Sequence, residues 1–153
     1  MITKKILILD NEPGHQILVA KLLRRSFSCE ITFASSLDEA KDRIQYDQFN
    51  IITLDGCLFH DEFGFQLIPA IREVQNKYCI IIMISSLEDY INAGLKLHAD
   101  YGFLKQDIIM CKGQVKFTEQ FDVIPYKCDI YNNIWKSVGL STDFFLTIET
   151  ISL

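Results

Sequence analysis

The chain has 153 residues, about the size of one domain, and 49% of them are hydrophobic, which excludes disorder over most of its length. Its 15 basic and 20 acidic side chains give a net charge of −5, which argues against nucleic acid or an anionic membrane as the main partner. No apolar run reaches the roughly 18 residues of a membrane span. No signal peptide precedes the first apolar run, so we expect a cytoplasmic protein.

Short apolar runs alternate with amphipathic stretches over the first two thirds of the chain. Continuous apolarity is typical of strands buried on both faces, and it predicts a strand at 5–9. Further strands are predicted at 30–34, 50–54, 78–84 and 101–104. The run 78–84 is the most apolar, and we expect it at the centre of the sheet. Helices are predicted between the strands, at 13–25, 36–46, 64–75 and 88–97, with a kink or a delayed start in the third because of Pro69. Successive β-α units predict an α/β fold with a doubly wound parallel sheet.

The pattern loosens after Lys105. We predict one domain over residues 1–116 and an irregular, aromatic-rich C-terminal extension over 117–153, either packed on the domain or used for partner contact. From residue 118 onward there are two lysines against five acidic residues. A DNA-binding element would be basic, so we expect no binding to DNA.

Polar side chains follow four of the five predicted strands. They are Asp10-Asn11-Glu12 after the first strand, Asp55 after the third, Ser85 after the fourth and Lys105 after the fifth. The carboxyl ends of parallel strands meet at one edge of a sheet, where ligands bind, so these side chains are expected to converge.

This set of side chains indicates phosphoryl chemistry. Two neighbouring carboxylates repel each other, and a Mg²⁺ ion between them relieves the repulsion and prefers a phosphate oxygen as a further ligand. Ser85 is then placed to donate a hydrogen bond to one phosphoryl oxygen, and Lys105 to pair with another. Asp55 becomes a candidate nucleophile that forms an aspartyl phosphate.

Over residues 4–116 the chain resembles the receiver domain of two-component response regulators. The matching segments are Ile-Leu-Ile-Leu-Asp-Asn-Glu-Pro, Phe-Asn-Ile-Ile-Thr-Leu-Asp, Gly-Phe-Gln-Leu-Ile-Pro-Ala-Ile-Arg, Ile-Ile-Met-Ile-Ser-Ser and Ala-Asp-Tyr-Gly-Phe-Leu-Lys. The resemblance implies a flavodoxin-like fold with strand order 2-1-3-4-5. It also implies a signalling protein rather than an enzyme, phosphorylated by a sensor histidine kinase or a phosphotransfer protein and acting on a downstream protein target or as a homodimer.

The resemblance also implies roles for individual residues. Asp55 would be the phosphoacceptor, Ser85 the switch hydroxyl and Lys105 the phosphate-binding lysine. Asp10 would belong to the acidic pocket, and the Cys57 backbone carbonyl would ligate Mg²⁺ together with Asp55. Asn11 stands where receivers usually carry a second acid that binds the metal, which should lower metal affinity, and Glu12 is placed to compensate in part.

Other departures affect the loop after the phosphoacceptor and the last strand. Phe59 replaces a proline of the family, and Gly64 stands nine residues after Asp55 where the family has a glycine at eight, which indicates a one-residue insertion. Gln106 replaces the proline after the lysine, so the usual cis bond is not expected. Gly102 occupies the aromatic switch position. These changes favour an alternative function, a pseudo-receiver that binds proteins with weak or no phosphorylation.

The sequence gives weaker support to one further function and to the remaining histidine and cysteine residues as site residues. A flavodoxin-like nucleotide or flavin binder shares the architecture, but it needs a Gly/Ser-rich phosphate loop after the first strand, where this chain has acids. His15, His60 and His98 lack metal-ligand spacing and are interpreted as surface or structural side chains. Cys57 and Cys79 adjoin or lie within buried strands and are expected to behave as small hydrophobic residues. No C-x-x-C pair indicates a zinc or redox site.

Overall fold

The computed structural model describes residues 2–24 and 27–106. Five strands and four α-helices alternate along this part of the chain, with one short 3-10 helix before the third α-helix. The strands are β1 Lys4–Leu9, β2 Cys29–Ala34, β3 Ile51–Asp55, β4 Ile80–Ser85 and β5 Tyr101–Leu104. The α-helices are α1 Pro13–Arg24, α2 Leu37–Tyr46, α3 Ile68–Val74 and α4 Glu88–Lys96.

The strands form one parallel sheet in the order β2-β1-β3-β4-β5, which confirms the predicted strand order. The middle strand is β3, so the expectation that the most apolar run would be central was wrong. Strand β4 lies between β3 and β5, and all of its residues are buried. Burial on both faces, rather than a central position, therefore explains its continuous apolarity.

The two faces of the sheet are covered by different helices. In β1, Leu7 and Leu9 belong to the core cluster that contains the buried side chains of α2, α3 and α4, whereas Ile6 and Ile8 point to the opposite face, against which α1 packs. Successive side chains of a strand alternate between faces, and here both sets are apolar. The doubly wound arrangement follows from that pattern.

The third predicted helix is divided into two parts. Residues Gly64–Leu67 form the 3-10 helix, and α3 begins at Ile68 with Pro69 in its first turn. Proline has no N–H to donate, so it is tolerated in the first turn and not in a helix interior. The delayed start that Pro69 predicts is confirmed.

No helix in the described ranges is long and apolar enough to cross a membrane. The predicted domain boundary at residue 116 and the extension 117–153 lie outside the described residues.

Candidate functional site

Strand register brings the predicted site residues to one edge of the sheet. Leu9 is paired with Leu54, so the next residues of the two chains, Asp10 just after β1 and Asp55 at the end of β3, lie side by side. Ser85 is paired with Leu104, which places Lys105 one residue beyond that pair. The structure therefore places together four side chains that are up to 95 positions apart in the chain.

Lys105 lies between the two carboxylates. Its Nζ atom is 3.0 Å from Asp55 Oδ1 and 3.2 Å from Asp10 Oδ2, and all three residues are buried. Burial lowers the pKa of Lys105, but the charges of Asp55 and Asp10 and its hydrogen bonds to both raise that pKa by more. The lysine is therefore charged at neutral pH, and it balances only one of the two negative charges.

Asp55 is the least satisfied member of the pocket. The residue is 3% exposed, and its Oδ2 atom is the one buried side-chain oxygen or nitrogen without a hydrogen-bond partner among the described residues. Burial, and next the negative charge of Asp10, raise the pKa of Asp55 to about 6, against the opposing influence of Lys105. At neutral pH the carboxylate is ionised with a free, buried lone pair, as a nucleophile or a metal ligand requires.

Asp10 is held by one residue just before α1 and by one within it. Its Oδ1 atom accepts a hydrogen bond from the Glu12 backbone N–H at 2.8 Å. Buried Gln16 donates from Nε2 to the Asp10 carbonyl at 2.6 Å and to the Ala34 carbonyl at 3.3 Å, linking the ends of β1 and β2. These contacts fix the carboxylate at the sheet edge.

Ser85 lies directly against the backbone that follows Asp55. Its buried Oγ accepts a hydrogen bond from the Leu87 N–H at 3.2 Å. A Cβ atom on Gly56 would overlap the Ser85 hydroxyl and would lie 2.8 Å from Tyr90 Cβ. Only glycine at position 56 therefore allows the hydroxyl and the strand that carries Asp55 to approach so closely.

Backbone hydrogen bonds close the loop after β3 near its tip. Leu58 N–H donates to the Glu62 carbonyl at 2.8 Å, and Glu62 N–H donates to the Phe59 carbonyl at 3.2 Å. His60 and Asp61 between them have φ of 58° and 57°, the left-handed pair of a type I′ turn. Gly64 then packs on the backbone carbonyl of Asp55 so closely that a Cβ atom would overlap it.

A family model described as the response regulator receiver domain matches residues 6–108, about two thirds of the chain. The chain belongs to this family. No curated protein matches the sequence significantly.

Solved response regulators share the fold of this receiver domain. A response regulator from Burkholderia pseudomallei, solved with a phosphorylated aspartic acid, a calcium ion and citrate, is 18% identical with a TM-score of 0.59; the match covers 98% of this chain and 93% of that chain. A CheY-like receiver domain protein from Methanospirillum hungatei JF-1 is 20% identical with a TM-score of 0.60, and the match covers 82% of this chain and 99% of that chain. DrrB from Thermotoga maritima, an OmpR/PhoB homolog, is 18% identical with a TM-score of 0.58. The match covers 68% of this chain and 46% of DrrB, so this chain spans less than half of DrrB.

The donor atoms of this receiver fit a Mg²⁺ ion. Within residues 2–24 and 27–106, no group of three or more His, Cys, Asp or Glu side chains is arranged to hold a metal. Magnesium needs fewer, since it is usually bound by one or two carboxylates while it retains water. Asp10 and Asp55 supply carboxylate oxygen, and the Asn11 amide and the Cys57 carbonyl are the further oxygen donors beside them in sequence. The Cys57 side chain adjoins β3, as expected, but it is exposed, since it lies two residues past the end of that strand.

At the aromatic switch position, the structure explains how glycine is accommodated. A Cβ atom on Gly102 would overlap Ile91 Cγ2 from α4, so the isoleucine fills the space above β5. The peptide bond between Lys105 and Gln106 is trans, like all those described, as the absence of proline predicts. An aromatic side chain at position 102 would require Ile91 to move.

One residue of the pocket was missed by the sequence interpretation. The His15 Nδ1 atom lies 3.1 Å from Lys105 Nζ, 3.0 Å from Glu12 Oε2 and 3.8 Å from Asp10 Oδ2. The signal in the sequence is Pro13, which starts α1 three residues after Asp10 and turns the next helical residues back over the strand end. His60, by contrast, is exposed in the loop, as expected.

Proposed function

We propose that this receiver domain takes a phosphoryl group on Asp55 from a phosphohistidine of a sensor histidine kinase or a phosphotransfer protein, and signals through protein contacts. The observation that carries the proposal is the buried Asp55 carboxylate, which has one oxygen paired with Lys105 and the other without a partner. A structural carboxylate is normally satisfied on both oxygens. A free oxygen beside a buried ammonium is the arrangement that an incoming phosphoryl group would use.

The chemistry follows from these atoms. Asp55 Oδ2 attacks phosphorus, a P–O bond forms, and the P–N bond to the donor imidazole breaks with its electron pair leaving on nitrogen. Lys105 faces the charge that develops on the phosphoryl oxygens, and the Ser85 hydroxyl is placed to donate to one of them. Asp10, Asn11, Asp55 and the Cys57 carbonyl, with Glu12 nearby, would hold Mg²⁺. When bound, the ion would supply further neutralisation of phosphoryl charge.

The wider role is proposed on the same basis. The chain would act as a signalling protein rather than an enzyme with a released product. It would act in the cytoplasm, on a downstream protein target or as a homodimer, without binding DNA or membrane. The net charge of −5 supports protein partners over polyanions.

A pseudo-receiver is the second candidate, because the chain departs from the family at a metal-ligand position and at the position of the aromatic switch residue. Asn11 removes a charge from the metal site, and Ile91 fills the place of the aromatic switch at Gly102. In this candidate the same acidic pocket is retained as a structural feature, and the surface alone binds a partner.

Phosphorylation by a small-molecule donor separates the two candidates. Incubation with Mg²⁺ and acetyl phosphate, followed by intact-mass measurement, should give an adduct of about 80 Da, the mass of one transferred phosphoryl unit. Asp55→Asn and a reaction with EDTA in place of Mg²⁺ should give none. Absence of the adduct in the unmutated protein, under conditions that label a known receiver, would overturn the phosphoacceptor proposal in favour of the pseudo-receiver.

A further inference from the structure

His15 lies beside the pocket without a role in the phosphoryl chemistry described above. Its side chain is 27% exposed, at the mouth of the pocket, and its Nδ1 atom faces Lys105 Nζ at 3.1 Å and Glu12 Oε2 at 3.0 Å. Nδ1 carries either a lone pair or a proton. It can therefore accept a hydrogen bond from Lys105 or donate one to Glu12, and it cannot do both.

Burial decides between these two hydrogen bonds. The Glu12 side chain is 59% exposed, so water satisfies its carboxylate when His15 does not. The Lys105 side chain is only 10% exposed, and an ammonium N–H without a partner there carries the full desolvation penalty. The lower-energy arrangement has the ring proton on Nε2 and a lone pair on Nδ1 facing Lys105.

With that arrangement, every donor of the ammonium has an acceptor. Its three N–H groups face Asp55 Oδ1 at 3.0 Å, His15 Nδ1 at 3.1 Å and Asp10 Oδ2 at 3.2 Å. A lysine side chain is long and has many rotamers, so three acceptors on three sides are what define its direction. The third acceptor carries no charge, whereas a third carboxylate would add to the repulsion that an incoming phosphoryl group meets.

We propose that His15 is a positioning residue that holds the Lys105 ammonium in the direction of Asp55 by accepting its third hydrogen bond. This inference rests on the proposed function for its consequence, which is faster phosphoryl transfer. Its structural core, the control of Lys105 by His15, does not depend on phosphorylation.

The first test observes Lys105 itself in the full chain. The measurement is a proton–nitrogen NMR spectrum of lysine ammonium groups at low temperature. The protons of a buried, hydrogen-bonded ammonium exchange slowly with water, so that the group gives a signal. The signal that is missing in Lys105→Arg is assigned to Lys105. His15→Asn keeps an acceptor oxygen close to the place of Nδ1, and the signal should persist. In His15→Leu, exchange with water should be at least about tenfold faster or the signal lost. Unchanged exchange in His15→Leu overturns the proposal.

The second test measures labelling by acetyl phosphate and Mg²⁺. His15→Leu should slow the labelling rate about tenfold, His15→Asn should stay within about threefold of the unmutated protein, and His60→Asn, in the exposed loop, should leave the rate unchanged. Equal slowing in His15→Asn and His15→Leu, or none in His15→Leu, overturns the positioning role. If the unmutated protein is not labelled, the proposed function fails, and the ammonium signal still decides the inference about His15. Circular dichroism checks that each variant is folded.

Discussion

The two ends of the sheet treat their buried polar groups in opposite ways. At the amino ends of the strands, buried Gln75 accepts from the Phe49 N–H at 2.8 Å and donates to the carbonyls of Ile44 and Asp47 at 2.7 and 2.8 Å. At the carboxyl ends, Asp55 is equally buried and keeps one oxygen without a partner. A neutral, fully bonded amide stabilises the fold, whereas a half-satisfied charge is maintained at the expense of stability. The comparison separates the structural end of the domain from the end that holds the candidate site.

The neighbouring Arg72 completes the structural end. Its guanidinium donates to the carbonyls of Cys79 and His98 at 2.9 and 2.7 Å and pairs with Asp100 at 2.9 Å. Asp100 in turn accepts from the Ile81 N–H at 2.8 Å. Loops that would otherwise leave backbone groups unpaired are therefore joined at the starts of β4 and β5.

The largest expected effect is at the structural end. Gln75→Ala removes three hydrogen bonds and leaves the Phe49 N–H buried without a partner, so the free energy of unfolding should fall by about 2–4 kcal/mol. Urea denaturation measures it. Gln48→Ala is the matched control, since the exposed Gln48 also bonds the Val74 carbonyl and the Asn76 N–H, and it should lose less than about 1 kcal/mol. Equal losses in the two variants would contradict the contrast between the ends.

The end that holds the candidate site should respond with the opposite sign. The pKa of the Asp55 carboxyl is raised to about 6, so its ionised form is unfavourable in the folded state. Asp55→Asn puts a neutral amide in its place, and in metal-free buffer at pH 7 this variant should stabilise the fold by about 1–3 kcal/mol. Urea denaturation again measures the change, and Asp61→Asn in the exposed loop should change stability by less than about 0.5 kcal/mol.

The pH dependence of this gain follows from the direction of the pKa shift. Between the ordinary pKa of 3.8 and the raised value of about 6, the folded state binds more protons at Asp55 than the unfolded state does. The contribution of this carboxyl to stability is therefore most favourable below about pH 4, and it is lost as pH rises through 6. The advantage of Asp55→Asn should grow over the same window. An advantage that is constant from pH 4 to 7 would show that ionisation of Asp55 is not its source.

The smallest effect concerns the ion pair at the structural end. Asp100→Asn keeps an oxygen that can accept from the Ile81 N–H and loses only the charge opposite Arg72, and both side chains are partly exposed at 29% and 38%. The free energy of unfolding should fall by less than about 1 kcal/mol in urea denaturation. A loss above about 2 kcal/mol would mean that charge, rather than hydrogen bonding, holds this end together.

The sequence predicted the order of elements and the meeting of Asp10, Asp55, Ser85 and Lys105. Each strand end can be located from the local sequence, and parallel pairing brings the carboxyl ends of the strands to one edge of the sheet. It did not predict the contact of His15 with Lys105, since that contact depends on how α1 is rotated over β1. It placed the most apolar strand at the centre, because hydrophobicity reports burial on two faces and not the number of neighbours. The hydrogen bonds of Gln75 were also missed, because no sequence pattern indicates which distant backbone groups a polar residue at a helix end will bond.

The type I′ turn at His60 and Asp61 has a consequence for how this chain can be altered. The turn is closed by the pairing of Leu58 with Glu62, and the chain is fixed again where Gly64 contacts the Asp55 backbone. Residues inserted at this exposed tip would therefore lie away from Asp55. The tip is a graft point, where a short epitope or a lanthanide-binding peptide would report on the pocket while Asp55, Ser85 and Lys105 keep their register.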